Sequence, residues 1–269
     1  MYVLGVVGPD VATDRVAERL VNRLREDGRV ATVARDESDR ATDSESSGGL
    51  ADASYRLSKD GWSATGKERS LPKLLSDLAP DYDYAILTGF PKADVPQIVL
   101  RGAEAEVRET LLEVDDADTL DPAEAVSKLH GTEPYETLDS LVTQAKASED
   151  APYSGAIATF TGRVRSKEDS EDEPTKYLEF EKYEGVAAER MDAISDELTE
   201  REGVFEVLMH HRTGVIEYGE DIVFVVVLAG HREEAFRTVE DGINRLKDEV
   251  PIFKKEVTSD EQFWVHEQS

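Results

Sequence analysis

The sequence predicts two domains of different class: an N-terminal α/β domain with a mainly parallel sheet, then a C-terminal α+β domain. Three observations carry this. At 269 residues the chain has room for two ordinary cores, each able to bury its apolar face without staples. Over the first hundred residues, apolar strand-like runs alternate with stretches of helical spacing, the rhythm of a parallel sheet. Beyond about residue 137 strands and helices still mix but no longer alternate strictly, and no internal repeat is apparent.

Tyr2-Val3-Leu4-Gly5-Val6-Val7-Gly8 is a short apolar strand ending in glycine. Val16, Leu20, Val21 and Leu24 then recur at helical spacing, and Gly28 stops the helix. Residues 29–34 form a second strand. Residues 36–49 are acidic and rich in Ser and Gly, with little to bury, which predicts a mobile loop. A weak hairpin follows at 53–58 and 62–65, then a helix around 71–78 and strands at 84–89 and 97–100. Between 102 and 137 the pattern defines one helix. Asp121 caps it, Pro122 suits its first position, Glu124 can return a bond to the cap, and Gly131 ends it.

A short helix at 137–148 opens the second domain. Residues 177–181 alternate as a half-exposed strand, and 186–201 carry Met191, Ile194 and Leu198 on one helical face. Residues 204–211 and 222–229 are apolar strands separated by a turn region at 214–219. A helix at 232–249 and a strand at 252–257 complete the order.

The charge balance is the next constraint. With 59 acidic against 31 basic residues the formal charge is -28 and the pI about 4.5. Such a surface argues against nucleic acid and anionic membrane as partners. An acid-rich, lysine-poor composition suits a salt-loving host, where high ionic strength screens self-repulsion. There is no cysteine, which excludes disulfides, thiolate metal sites and a cysteine nucleophile, so any sulfur chemistry must import its sulfur. The five histidines show no metal-ligand spacing on one helix, so neither metal nor cofactor is expected. No apolar run reaches membrane-spanning length and no charged region precedes the first apolar stretch, which gives an expected cytoplasmic location.

Against that background, local cations need a local reason. Three of the 12 lysines, Lys247, Lys254 and Lys255, fall between residues 246 and 256. An anionic ligand supplies the reason, because a pocket that holds phosphate or carboxylate cannot also be lined with acid. Lys247 should pack its stem beside an apolar stripe of Phe236, Val239, Ile243 and Leu246. Partial burial there would favour the neutral amine that acid–base work near neutral pH requires. Pro251 ends the helix, and strand alternation puts Lys254 and Lys255 on opposite faces, so one of them shares a pocket with Lys247. The competing explanation is solvated surface lysines.

Arg165 enters a charged loop at 166–173, where its fork can grip phosphate or a carboxyl terminus, or else form a surface ion pair. Arg163 lies two residues away on the same strand face. His231 and Arg232 sit where strand meets helix and can bind an anion with the free helix amides, unless His231 merely caps the helix. His210, His211 and Arg212 look like structural polar contacts at a strand end.

Two family resemblances follow from motifs. Residues 137–267 resemble the large, catalytic subunit of molybdopterin synthase. The likeness rests on Thr159-Phe160-Thr161-Gly162-Arg163-Val164-Arg165, Leu178-Glu179-Phe180-Glu181 with Tyr183-Glu184-Gly185, and His211-Arg212-Thr213-Gly214. It continues through Gly219-Glu220-Asp221-Ile222-Val223-Phe224-Val225, His231-Arg232, Leu246-Lys247 and Pro251-Ile252-Phe253-Lys254-Lys255-Glu256.

The resemblance implies sulfur transfer to cyclic pyranopterin monophosphate from the thiocarboxylated C-terminal glycine of a small ubiquitin-like subunit ending in Gly-Gly. It also implies a homodimer within a heterotetramer. On its pattern Lys247 and Lys254 are catalytic, and Arg165, His231, Arg232 and Arg201 bind substrate. Family members often continue past the position of Trp264 with basic residues, whereas this chain ends at Ser269.

Residues 1–130 resemble the adaptor protein of molybdopterin guanine dinucleotide synthesis, a P-loop family, through residues 2–14, 83–92 and 96–100. The phosphate-binding pattern G-x-x-x-x-G-K-[ST] meets Gly8-Pro9-Asp10-Val11-Ala12-Thr13-Asp14-Arg15, where the second glycine is Thr13 and the lysine is Asp14. An anion in place of the phosphate-facing cation reverses the electrostatics, so this domain, 1–130, is expected to be a degenerate P-loop scaffold preceding a catalytic domain at 137–269. Two other classes of function remain open. One is a docking module or lysine-conjugation target for a ubiquitin-like protein; the other is a nucleotide-dependent adaptor.

Overall fold

A computed structural model describes residues 1–35, 51–167, 169–170, 172–183, 185–258 and 262–265. The expected mobile loop at 36–49 and the chain end at 266–269 lie outside the described residues. The chain divides into two compact units, Met1–Tyr135 and Glu136–Ser269.

The first unit runs β1 (Tyr2–Val7), α1 (Asp10–Leu24), β2 (Val30–Ala34), β3 (Ala53–Ser58), β4 (Gly61–Gly66), α2 (Leu71–Leu78), β5 (Tyr84–Thr88), β6 (Gln97–Leu100), β7 (Thr110–Val114) and α3 (Pro122–His130). Its main sheet has the order β2-β5-β1-β6-β7, and every pairing in it is parallel. A parallel strand is covered on both faces, which is why β1 and β5 read as near-continuous apolar runs. Leu4, Val6 and Ile86 pack against Val16, Leu20 and Leu24 of α1 and Val126 and Leu129 of α3. Val3, Ala85 and Leu87 pack on the other face against Leu75 of α2. Strand β7 is an addition that periodicity did not reveal. It is an edge strand whose residues are exposed or half-exposed apart from Val114, so it shows neither an apolar run nor clean alternation. At α3 the Asp121 carboxylate accepts from Ala123 N at 2.9 Å as expected, but Glu124 lies near Lys128 instead of returning to the cap.

The turn after β1 has no phosphate cradle. Only Gly8 and Pro9 separate the strand from α1. Ala12 N and Thr13 N donate to Pro9 O at 2.9 and 3.0 Å, and the Thr13 hydroxyl donates to Asp10 O at 2.7 Å. A phosphate loop needs several amides aimed outward at the anion, and here one of the two turn residues is a proline with no N–H. Leu100 closes the turn from the side, since a methyl on Gly8 would come within 2.6 Å of its Cβ. Arg15 is bound to Asp118.

The second unit comprises α4 (Leu138–Ala147), β8 (Ala156–Arg163), β9 (Tyr177–Lys182), α5 (Val186–Thr199), β10 (Val204–His211), β11 (Gly214–Glu217), β12 (Asp221–Ala229), α6 (Arg232–Glu249), β13 (Ile252–Val257) and β14 (Gln262–Val265). Thr137 and Ser140 cap α4 reciprocally. The strands form two antiparallel sheets, β10-β12-β8 and β11-β9-β13-β14. Residues 214–217, expected as part of a turn, form β11 against β9.

Strand β12 is the spine of this unit. Its residues 223–229 are all buried because helices cover both faces. Phe224, Val226 and Leu228 meet Leu141 and Ala145 of α4. Val223, Val225 and Val227 meet Ile194 and Leu198 of α5 and Ile243 and Leu246 of α6. Gly242 lets α6 approach closely, as a methyl there would sit 3.0 Å from Met209 Cε and 3.1 Å from Val225 Cγ1. The second sheet closes its own small core from Val164, Leu178, Phe180 and Ile216. Among the described residues, no helix is long and apolar enough to cross a membrane.

Two outcomes test these assignments. Ile194→Ala removes a fully buried side chain and should cost about 2–5 kcal/mol of stability, read by denaturant unfolding at high salt. GTP titrated calorimetrically into the full chain at high salt should give no binding heat, because the turn at Gly8 and Pro9 offers no cradle.

Candidate active site

Helix α6 decides which predicted groups can meet. Its covered side is Ala235, Thr238, Gly242, Ile243 and Leu246, fixed by contact with the central sheet. That stripe is rotated from the expected one. Phe236 is 64% exposed, and Lys247, on the same helical side, is also exposed. The expected burial of the Lys247 stem is therefore corrected: among the described residues nothing buries this side chain, which is exposed.

The second correction concerns convergence. Strand β12 starts at Asp221, opposite Arg163, and ends at Ala229, opposite Ala156. His231 and Arg232 follow at the Ala229 end, and α6 then runs back along the sheet. At about 1.5 Å rise per residue, Arg232 and Lys247 lie about 22 Å apart on one straight helix. Lys247 returns toward the Arg163 end, where Ile222 and Ile252 each bridge the two cores of the unit. Arg165, Lys247 and Lys254 thus share one end of the unit, and His231 and Arg232 occupy the other. Within one chain they do not line a single crevice. His231 also makes no side-chain cap bond, so its alternative role as a helix cap is not realised.

Arg165 lies two residues beyond β8, not at its last position, and its presentation is built by neighbours. Val164 N donates to Glu220 O and Gly219 N donates to Val164 O, both at 2.9 Å. Arg212 Nη1 donates to Asp221 O at 2.8 Å, and Arg163 Nε lies 3.3 Å from Asp221 Oδ1. Two guanidinium groups therefore clamp the turn at 219–221 that holds the chain just before Arg165. Arg163 and Arg212 are engaged in structure, and only a three-dimensional view shows what Arg212 holds.

Lys254 and Lys255 do point to opposite faces. Lys254 sits opposite Phe180, on the face of Leu178 and Ile216. Lys255 sits opposite Glu179, and their side chains pair at 3.1 Å. Glu256, on the Lys254 face, accepts a hydrogen bond from the Thr175 hydroxyl. Lys182, which the sequence did not single out, lies on this same face opposite Ile252. Its signal was available: it continues the alternation of Leu178 and Phe180 along β9.

Behind these amines stand two imidazoles. His211 Nδ1 is 2.7 Å from Arg212 O; a carbonyl only accepts, so Nδ1 carries the proton. The Phe180 ring meets His211 edge-on at 4.9 Å, and His210 stacks on Phe224 at 6.4 Å. Burial, then the nearby Lys182 charge, pushes His210 down to about 3. Burial, together with Lys182 and against the bond to Arg212, pushes His211 down to about 4. Their expected role as structural polar contacts fits these surroundings.

On the outer side, α5 and α6 are laced by ion pairs. Arg245 donates to Glu249 at 2.6 Å and to Glu197 at 2.7 Å, and Arg190 also reaches Glu249. The Arg245 guanidinium holds the Glu249 carboxyl below its usual range. Arg201, a predicted anion ligand, is paired with Asp241 at 2.7 Å. Among the described residues, no group of three or more His, Asp and Glu is placed to hold a metal ion.

Fold and charge placement together define a class: an α+β domain that gathers lysine and arginine side chains at one end of its central sheet. Comparison with known proteins gives the class its family. The family described as MoaE protein matches residues 134–249. A relative from Haloferax volcanii, named "Probable molybdopterin synthase", is 57% identical over 270 residues, covering 99% of this chain and 100% of that one. The molybdopterin synthase catalytic subunit of Pyrococcus abyssi is 33% identical over 127 residues, 47% of this chain and 84% of that one. A crystal structure of molybdopterin synthase from Staphylococcus aureus shares 32% identity, covers 50% of this chain and 93% of that one, and superposes with a TM-score of 0.44. The chain belongs to the molybdopterin synthase catalytic-subunit family, and the activity that goes with membership is sulfur transfer in molybdenum cofactor biosynthesis.

The imidazoles supply a test of the site's interior. Each has its pKa below the ordinary 6.5, so between the two values the unfolded chain binds more protons than the folded one. Stability from this source is complete above about 6.5 and should fall as pH drops toward about 4. Imidazole NMR titration should show both rings neutral at pH 6, and His211→Gln should flatten part of the pH dependence of unfolding.

Proposed function

We propose that this chain installs the two dithiolene sulfurs of molybdopterin on cyclic pyranopterin monophosphate. Each sulfur comes from the thiocarboxylated Gly-Gly terminus of a small ubiquitin-like subunit. The observation that carries this reading is the gathering of Lys247, Lys254 and Arg165 at one end of the second unit of a chain whose charge is -28. Both reactants are anionic, and the chain has no thiol of its own to offer. Each transfer makes a carbon–sulfur bond on the pterin side chain and breaks a carbon–oxygen bond at the same carbon, whose oxygen leaves. Water then hydrolyses the acyl–sulfur bond to the donor, which leaves the donor tail an ordinary carboxylate and the sulfur on the pterin.

In this reading Lys247 and Lys254 move protons at the reacting carbon and sulfur, and Arg165 grips an oxyanion with its fork. An exposed Lys247 suits a site that is covered only when the donor tail enters, because closing a site against water strengthens every charge inside it. His231 and Arg232 then serve a different pocket from the Lys247 of their own chain. A second copy that presents them to its neighbour's Lys247 accounts for both groups, consistent with a homodimer carrying two small subunits. Arg201, held by Asp241, belongs to the support of that surface. The first unit acts as a degenerate P-loop scaffold or docking domain at 1–130, ahead of the catalytic domain at 137–269. The acidic surface suits a salt-rich cytoplasm.

Lys247→Ala should abolish molybdopterin formation in a reconstituted assay at high salt while the protein stays folded, and Arg232→Ala should cost at least tenfold. Mixing the two variants after subunit exchange should restore activity, because a mixed dimer keeps one site with both groups intact. Full activity of Lys247→Ala sinks the reaction scheme. No recovery on mixing sinks the shared site. A stable adduct of the small subunit on Lys247, without pterin turnover, would make the chain a conjugation target instead.

A further inference from the structure

Strand β8 closes one edge of the sheet β10-β12-β8 and pairs along one side only, with β12. Among the described residues its outer edge has no strand partner, so it presents a row of backbone N–H and C=O groups. From Ala151 to Gly162 no residue is charged, in a sequence of which 33% is charged. The uncharged runs of β1 and β12 are covered on both faces, whereas Ile157 and Thr159 of β8 are exposed. Edge strands that stay single are commonly guarded by lysine or proline, and β8 has neither.

The helices above this sheet leave room for a neighbour on the same side. Helix α5 packs over β10, and α6 packs over β12 and β8, nearest the open edge. Ion pairs of Arg245 with Glu197 and of Asp241 with Arg201 fix the flank of α6 that faces α5. Arg232, Phe236, Val239 and Lys247 recur at helical spacing on the opposite flank, which looks out over β8. The large exposed ring of Phe236 lies on that flank.

Two identical antiparallel strands are related by a two-fold perpendicular to their sheet, so a second copy paired along β8 keeps its α6 on the same side. Strands about 4.8 Å apart put β8 about 2.4 Å and β12 about 7.2 Å from that axis. A helix lying over both is then about 5 Å from the axis, so the two copies of α6 run antiparallel about 10 Å apart, a normal packing distance. Gly242 stands over Val225, whose partner on β8 is Phe160. The midpoint between Arg232 and Lys247 is about 4 Å along the helix from Gly242, or one strand residue, and so falls above Thr159. With Thr159 opposite the partner's Thr159, small Ala158 meets the partner's Phe160, and Ile157 meets the partner's Thr161. We infer that two copies join edge to edge through β8 with Thr159 at the two-fold, and that this union sets each Lys247 beside the partner's Arg232. The inference rests on the shared site proposed above and supplies its interface.

The chain has no cysteine, so Thr159→Cys introduces a single thiol per copy. Treated with diamide in the full chain at high salt, it should form a disulfide-linked dimer almost completely, whereas Glu200→Cys, beyond the end of α5, should not. Sedimentation should find the wild type dimeric. Thr159→Lys, which sets like charges face to face, should be monomeric at the same concentration with an unchanged circular-dichroism spectrum. A monomeric wild type overturns the inference, as does a dimer that survives Thr159→Lys or in which Thr159→Cys fails to crosslink. Should Thr159→Lys unfold, the crosslink decides alone. None of these measurements needs turnover: a chain that crosslinks at position 159 yet makes no molybdopterin upholds the interface and sinks the reaction scheme.

Discussion

A straight helix cannot bring its two ends together, and the chemistry of this chain is arranged around that fact. Helix α6 is 18 residues long, about 27 Å, and its direction is imposed by the sheet beneath it. Strand β12 is buried on both faces, so it cannot slip by one residue without sending a row of valines to the wrong side. Gly242 then seats α6 against Val225 and Met209 at one height and rotation. With β12 and α6 fixed, His231 and Arg232 are committed to one end of the unit and Lys247 to the other. The corner at Pro251 delivers Lys254 to β13 beside Lys182. Where the cations stand is a consequence of core packing and not of any attraction among them.

Electrostatics completes the division of labour. On the outer side of the second unit some acids are matched locally, in the ladder that links Arg190, Arg245 and Arg201 of one helix pair to Glu249, Glu197 and Asp241. These pairs are substantially exposed, each contributes little to stability, and salt screens them further. Their effect is to tie α5 to α6 along the helix surface next to Lys247. On the inner side His210 and His211 are polar but uncharged, because burial opposes their protonation. The amines at 247 and 254 stand at this end of the unit, where the reading proposed above places an anionic substrate.

The sequence made some of this legible and hid the rest for identifiable reasons. Strands β1, β5 and β12 announced themselves as apolar runs because both their faces are covered, and α4 and α3 because Thr137, Asp121 and Pro122 are local signals. Edge strand β7 and the short β11 did not, since half-exposed edges carry weak patterns and Gly214 and Gly219 resemble turn punctuation. Lys247 and Lys254 were legible as a local excess of cations. Lys182 showed its face through the alternation of Leu178 and Phe180, but its position across from Ile252, a contact of long sequence separation, was not legible. The misplacement of the α6 stripe has a similar cause. Apolar residues at 236 and 239 suggested one face, but Thr238 and Gly242 turned out to be the covered positions, and small or polar residues do not advertise burial.

The two units differ in what their frameworks leave open. In the first, a parallel sheet with a strand–turn–helix entry is present, and Gly8 and Pro9 make so short a turn that Leu100 lies against it. The core that holds this sheet owes nothing to the loop, so the fold does not depend on a ligand there. In the second, the framework holds cations in place while leaving Lys247 open to solvent. In the reading proposed above, an amine that exchanges protons with a reacting carbon gains from exclusion of water, which the described residues do not provide at Lys247. A donor tail entering over Lys247 would then bring the sulfur and the cover together.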